Sequence, residues 1–206
     1  VIHNAHNSVF DGPLADNMLL NPAARAALIH NLVALANSRG YSGYVFDLEN
    51  LSPAAKKLYP LLIAEANKAL DPSGREVWVT APFADNSAPL EQLQAASDTL
   101  VLMAFDQHWA PGDPGPPAGQ DWFEQNLDKR LSTLDETKTI VALGVYGCEW
   151  SPKNDEDRTC AVRTAGDVGC ADTRTFHEAT QTAHDSEVDV RMDPARLNPN
   201  YAYADE

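Results

Sequence analysis

The sequence contains no apolar run near the roughly 18 residues that a membrane-spanning helix needs. Its longest candidates, around 99–105 and 139–146, have the length of a strand. Positive charge is scarce: 15 Lys and Arg stand against 30 Asp and Glu, a net charge of −15. Such a surface repels phosphate backbones and no basic run offsets it, so nucleic acid is not expected as a partner, and anionic membranes are disfavoured on the same ground. Cysteine is sparse too. Cys148, Cys160 and Cys170 match no zinc spacing, and the six His lack carboxylate partners at i, i+4, so no metal site is expected. No Gly-rich turn follows an early strand, which removes the dinucleotide-binding fold, and no cofactor is expected. Neither a repeat nor a secretion signal is visible. The chain opens on Val1 rather than Met, however, so it reads as a processed or excised piece and the compartment stays open.

What is present is a regular alternation of strand and helix. Asn21 and Pro22 open a helix that Gly40 ends. Tyr44–Glu49 reads as an apolar strand finishing in acid, and Ser52-Pro53 starts a second helix running to Leu70. Strands follow at 77–81, 99–105 and 139–145, with helices at 90–96 and 122–134 between them. Beyond Gly147 the chain turns polar, with a helix expected at 173–184 and an extended piece at 188–192. A Pro/Gly-rich loop, 110–119, is too long and too specific in composition to be a simple connection. Buried strands in repeated βα units mean a parallel sheet, either doubly wound or a (β/α)₈ barrel. Acids at a strand's C-terminal end fit the barrel's catalytic face. Only about five strands can be counted, so the expected α/β fold is a barrel lacking its first strands and its last. Residues 1–150 form its core, and residues 151–206 continue it as a helix and insertion segment. Open sheet edges would leave this piece alone unstable.

The most informative tripeptide is Asp47-Leu48-Glu49. Residues two apart on a strand share a face, so the two carboxylates point the same way among apolar neighbours. Like charges at short range favour a shared proton, which a general acid needs. Glu49, further out and longer, suits proton donation, with Asp47 orienting it. Two acids on one strand cannot flank a sugar as in a two-carboxylate retaining glycosidase, whose groups sit about 5–5.5 Å apart. A glycosidase built on this pair takes its nucleophile from the substrate, for example an N-acetyl oxygen. The plainer alternative is that the two acids end a strand and cap the next helix.

Ser42-Gly43-Tyr44-Val45-Phe46-Asp47-Leu48-Glu49 resembles the D-G-x-D-x-D-x-E signature of glycoside hydrolase family 18, the chitinase-like barrels. Met103-Ala104-Phe105-Asp106 resembles that family's M-x-Y-D motif on its sixth strand, and Leu143–Gly147 resembles the G-x-P-x-Y-G stretch on its seventh. The segment Asp106-Gln107-His108-Trp109 with Pro114-Gly115-Pro116 looks most like the branch of bacterial spore-cortex N-acetylglucosaminidases, near one fused to deacetylase or glycosyltransferase domains. The resemblance covers Val1 to Trp150 in the order of strands three to seven. It implies hydrolysis of a β-linked N-acetylglucosamine polysaccharide, chitin or peptidoglycan, with Glu49 as acid/base and Asp47 holding the acetamido group. Asp106, Phe105, Met103, Trp109 and Tyr146 would bind substrate, and the setting would be extracellular, periplasmic or the cell envelope.

The chain departs from the pattern at Ser42 and Val45, which stand where the signature has acids, and at Phe105, which stands where active members carry Tyr. Losing one such donor costs on the order of 10²–10³ in rate, with Tyr44 and Tyr146 the hydroxyls nearest in sequence to compensate. A sugar-binding barrel without catalysis is the alternative. Trp78 is expected in the core, and Asn4 and Asn7 are expected to bind loop backbone. His108 either orients Asp106 or is structural. A Cys160–Cys170 bridge would contribute roughly 2–3 kcal/mol, leaving Cys148 over and pointing to an oxidising compartment.

Overall fold

The computed structural model describes residues 1–7, 9–109, 113–151 and 170–204, of which 151, 170 and 171 are described as backbone alone. The expected Cys160–Cys170 bridge lies outside the described residues. The chain forms two compact units, Val1–Met103 with Arg130–Val141, and Ala104–Lys129 with Ala142–Glu206.

The first unit begins with β1 (Ile2–His3) and a small hairpin, β2 (Ala5–His6) with β3 (Val9–Phe10). There follow α1 (Gly12–Leu20), α2 (Pro22–Arg39), β4 (Gly43–Asp47), α3 (Pro53–Leu70), β5 (Glu76–Pro82), α4 (Leu90–Ala96) and β6 (Thr99–Ala104). The last residues of α5 (Gln120–Leu131) belong to this unit, as does most of β7 (Thr139–Leu143). Sheet order is β1-β4-β5-β6-β7, and the pairs β1/β4, β4/β5 and β5/β6 are parallel. Each strand is added on the same side of the one before it. A doubly wound sheet reverses direction at a switch point; this one does not, and it has the winding of a (β/α)₈ barrel.

Why these elements form is largely local. Asn21 Oδ1 accepts the Ala23 and Ala24 amides, Pro22 occupies the first turn, and Gly40 closes α2 at φ 70°. Ser52 caps α3 in the same way, accepting from Ala55. Helix α1, unforeseen in the sequence, is capped by Asp11 and bends 100° into α2. Among the described residues no single helix is long and apolar enough to cross a membrane.

One sheet face carries Phe46, Val77, Val79, Leu100 and Leu102, all fully buried, with Leu62, Ile63, Ala66 and Leu70 of α3 also in the core. Each of these side chains apart from Ala66 contributes about 1.5–3 kcal/mol. Arg25 is buried among the helices, its Nε 3.0 Å from Glu65 and its Nη1 2.6 Å from the Leu19 carbonyl. Alternate residues, among them Asp47, Trp78, Thr80, Val101 and Met103, lie on the opposite face and are half-buried. Trp78 is therefore not in the helix-covered core as expected. It is one register out from Val77 and Val79, and its indole N–H donates to Glu76 at 2.9 Å.

The second unit contains an antiparallel hairpin, β8 (Tyr146–Ser151) with β9 (Cys170–Thr175), then α6 (Phe176–Asp185) and a short pair, β10 (Arg191–Met192) with β11 (Pro199–Asn200). The expected helix at 173–184 starts later, because Thr175 and Glu178 form a capping box that fixes its first turn. The strand expected at 139–145 stops at Leu143, and Val145 is 88% exposed. Tyr146 thus opens β8 rather than ending β7. The described part of the Pro-rich loop, 113–119, is tied down by Gln107, whose backbone amide donates to Pro117 O at 2.8 Å and whose Oε1 accepts from Gly119 at 2.7 Å.

Candidate active site

In the first unit the acidic tip of β4 is held from three sides. Strand β4 stops at Asp47, so Glu49 sits two residues beyond it, on the turn into α3, rather than in the strand as expected. Asn4, 6% exposed, accepts the Glu49 amide through Oδ1 at 2.9 Å and donates to the Glu49 carbonyl through Nδ2 at 2.9 Å. The same Nδ2 reaches the Asp11 carbonyl at 2.9 Å. The expectation that Asn4 binds backbone is met, and the backbone is that of the candidate acid. Asn50 follows at φ 57°, a left-handed conformation Asn tolerates. Its carbonyl lies against Gly12, where a Cβ would come within 2.1 Å of it.

Thr80 on β5 donates to Asp47 Oδ1 at 2.6 Å. Beneath the tip lies Tyr59 of α3, 4% exposed, its hydroxyl oxygen accepting the Leu48 amide at 3.3 Å. Burial pushes the Tyr59 phenol far above its ordinary range, and the charges of Asp47 and Glu49 push it further. It stays a neutral phenol, which lets it lie close to two acids. Asn4, Thr80 and Tyr59 were not assigned to the site from sequence, because their partners lie 11–45 residues away along the chain.

In the second unit Phe105, Asp106 and Tyr146 come together. Asp106 is exposed and adopts φ 62°, and its Oδ1 accepts the Tyr146 hydroxyl. The Phe105 ring meets Tyr146 edge-on, centroids 6.2 Å apart at 80°. Gly144 permits this approach, since a Cβ there would come within 2.8 Å of Phe105 and 2.9 Å of Tyr146. Burial, then the Asp106 hydrogen bond and charge, raises the Tyr146 phenol well above its ordinary value. Cys148 is a half-buried free thiol, raised by burial and then by the Asp106 charge.

The remaining candidates separate. Met103 is half-buried near the end of β6, and Trp109 is 57% exposed. His108 does not orient Asp106: its Nδ1 lies 3.0 Å from the Asp113 carbonyl, and its ring packs against Gly115. Tyr44 is no substitute hydroxyl at the site either. It lies on the helix-covered face and donates to Leu32 O at 2.7 Å.

No protein-family model matches the chain. Two Bacillus subtilis proteins named as glycosylases, YvbX an uncharacterized one and YdhD a sporulation-specific one, are related to it in sequence. YvbX is 26% identical over 170 residues, 77% of this chain and 49% of its own length. YdhD is 26% identical over 156 residues, 72% of this chain and 37% of its own. The chain thus spans about half or less of these relatives. The crystal structure of YdhD superposes with a TM-score of 0.86 at 23% identity, covering 100% of this chain and 67% of that one. A chitinase of Chromobacterium violaceum gives 0.78 at 22%, covering 94% and 59%. The spore cortex-lytic enzyme SleL of Bacillus megaterium gives 0.79 at 20%, covering 99% and 46%. Winding, motif order and these relationships together support a chitinase-like barrel that resembles glycoside hydrolase family 18.

Proposed function

We propose that this chain carries the acid/base centre of a glycosidase that cleaves β-linked N-acetylglucosamine polysaccharide, of chitin or peptidoglycan type, with retention and with help from the substrate. The observation that carries the reading is the double clamp of Asn4 on the Glu49 backbone, together with the Thr80 hydroxyl on Asp47. Both acids are fixed at the C-terminal end of a parallel strand, where barrel enzymes place their chemistry.

Glu49 donates its proton to the glycosidic oxygen as the C1–O bond breaks. The acetamido carbonyl oxygen of the same sugar bonds to C1, giving an oxazolinium ion that the Asp47 carboxylate stabilises. Water, giving its proton to the Glu49 carboxylate, then attacks C1 from the face the leaving group vacated, so configuration is retained. Asp106, Phe105, Met103, Trp109 and Tyr146 belong to the sugar-binding surface in this reading, and the reaction takes place outside the cell or at its envelope, where the glycans named for the chitinase and the cortex-lytic relative occur.

Replacing Glu49 with Gln in the full-length protein is expected to abolish nearly all release of reducing ends and to preserve sugar binding. Undiminished hydrolysis by that variant rules the assignment out. A second reading, a sugar-binding barrel without catalysis, draws on Phe105, which brings no hydroxyl to its position. Wild-type protein that binds chito-oligosaccharides and releases no reducing ends over long incubation establishes it. The retention of an acid at position 49 favours catalysis over binding alone.

A further inference from the structure

Helix α3 buries one face, made of Ala55, Tyr59, Leu62, Ile63, Ala66 and Leu70. Apart from Tyr59 these side chains are pure hydrocarbon, and none of them is more than 1% exposed. Packing alone asks only for a ring at position 59, and a hydroxyl placed there costs folding free energy unless it finds a partner. Its partner is the Leu48 amide, 3.3 Å from the phenol oxygen and 11 residues back along the chain. We infer that Tyr59 is a positioning residue that holds the peptide between Asp47 and Leu48 and so aligns Asp47 with Glu49, a role that rests on the glycosidase reading above.

Strand β4 ends at Asp47, which pairs with His3 across the ladder. Leu48 lies past that end, and there the Tyr59 oxygen takes its amide. Asn4 takes the next amide, that of Glu49, and binds the Glu49 carbonyl as well. The peptides on both sides of Leu48 and on both sides of Glu49 are thereby tied to buried side chains. A peptide unit is planar, so the chain turns only between such planes. Asn4 alone fixes the two planes that flank Glu49. The plane between Asp47 and Leu48 would still rock, and rocking tilts the Asp47 carboxylate relative to Glu49. The Tyr59 bond stops that motion. A group misplaced by about 1 Å costs on the order of 10²-fold in rate, so a smaller tilt is a smaller but measurable loss.

The chemistry of the group suits its place. A third carboxylate would add negative charge beside Asp47 and Glu49. Burial, and then those two charges, keep the phenol neutral, so its oxygen accepts an amide without bringing a charge. Tyr59 is 4% exposed on the buried face of α3 and acts on the acids through the backbone.

The test is Tyr59→Phe in the full-length protein, which keeps the ring and removes the oxygen. Amide hydrogen exchange at Leu48 is expected to quicken about five- to tenfold, the worth of one net hydrogen bond, with the Leu62 and Ile63 amides unchanged. On a chito-oligosaccharide, kcat is expected to fall about tenfold while KM stays within about twofold, the pattern of a group that matters in the transition state. Unchanged kcat, or a lower thermal midpoint with the kcat of the folded protein preserved, overturns the inference and leaves Tyr59 a packing residue. If the variant does not fold, exchange in the wild type decides: a Leu48 amide protected like that of Phe46 within β4 supports the bond, and one exchanging like an exposed turn amide refutes it. Wild-type protein without hydrolysis refutes the glycosidase reading, whereas an active wild type with an equally active variant refutes the role of Tyr59 alone.

Discussion

Asn4 and Glu49 are joined through both ends of one side-chain amide, Oδ1 to the Glu49 amide and Nδ2 to the Glu49 carbonyl, each at 2.9 Å. An Asn on one strand's end thereby fixes the Cα of an acid on the turn after the next strand. A residue beyond the end of a strand has no ladder to hold it, and here a buried side chain replaces the ladder. Asn4→Ala leaves the Glu49 and Asp11 backbone groups without that partner in a partly buried place. The expected cost is about 2–3 kcal/mol of stability, at the upper end for unsatisfied groups, and a larger fall in kcat than change in KM. Denaturant titration and steady-state kinetics on one preparation check both. A variant equal to wild type in rate would show that the clamp does not position Glu49.

Thr80 is the corresponding support for Asp47, donating at 2.6 Å. Thr80→Val keeps the shape and removes the donor, so a charged oxygen loses a hydrogen bond worth about 1.5–3 kcal/mol. A roughly ten- to hundred-fold loss of kcat is expected, with Thr80→Ser restoring most of it because the hydroxyl returns. If Val and Ser behave alike, the hydroxyl is not what matters at this position.

How far the sequence foretold this site follows from the range of each interaction. Caps and breakers act within a few residues, so Asn21, Gly40 and Ser52 announced α2 and α3 almost to the residue. The Asp47/Glu49 pair was legible because it ends an apolar run. Asn4 and Thr80 were not assigned to it, since each reaches a partner 33 or 45 residues away and neither leaves a local pattern. Tyr59 is hidden for another reason: within an apolar helix face a phenol reads like any other core residue. The β8–β9 hairpin gave no signal because its strands show no apolar alternation, and the Glu149–Arg174 pair that spans it joins residues 25 apart.

Phe105 and Tyr146 test whether a hydroxyl can be supplied from a neighbouring position. Their rings touch edge-on, and the Tyr146 hydroxyl rests on Asp106. If Tyr146 supplies what position 105 lacks, Tyr146→Phe reduces kcat by about two orders of magnitude, the lower end for an oxyanion-type donor. Phe105→Tyr then recovers activity in the Tyr146→Phe background more than it adds to wild type. Independent effects in the double-mutant cycle would separate the two positions.

The last prediction concerns acid. Asp85 lies in the loop after β5, with Lys56 Nζ 2.8 Å from its Oδ2 and the Ser87 amide and hydroxyl each 2.7 Å from its Oδ1. Partial burial pushes its carboxyl up, but the Lys56 and Ser87 hydrogen bonds outweigh that and bring it to about 2, below the ordinary 3.8. A carboxyl lowered by folding stabilises the fold wherever it is ionised in the unfolded chain, above about pH 4, and loses that contribution as pH falls toward 2. Because both side chains are about one-third exposed, solvent screening reduces the gain to about 1 kcal/mol or less. Asp85→Asn is therefore expected to lower the thermal midpoint slightly at pH 6 and to converge with wild type near pH 2, or at the lowest pH where both still fold. A gap between the two proteins that stays constant down that range would mean that the Asp85 charge is not its source.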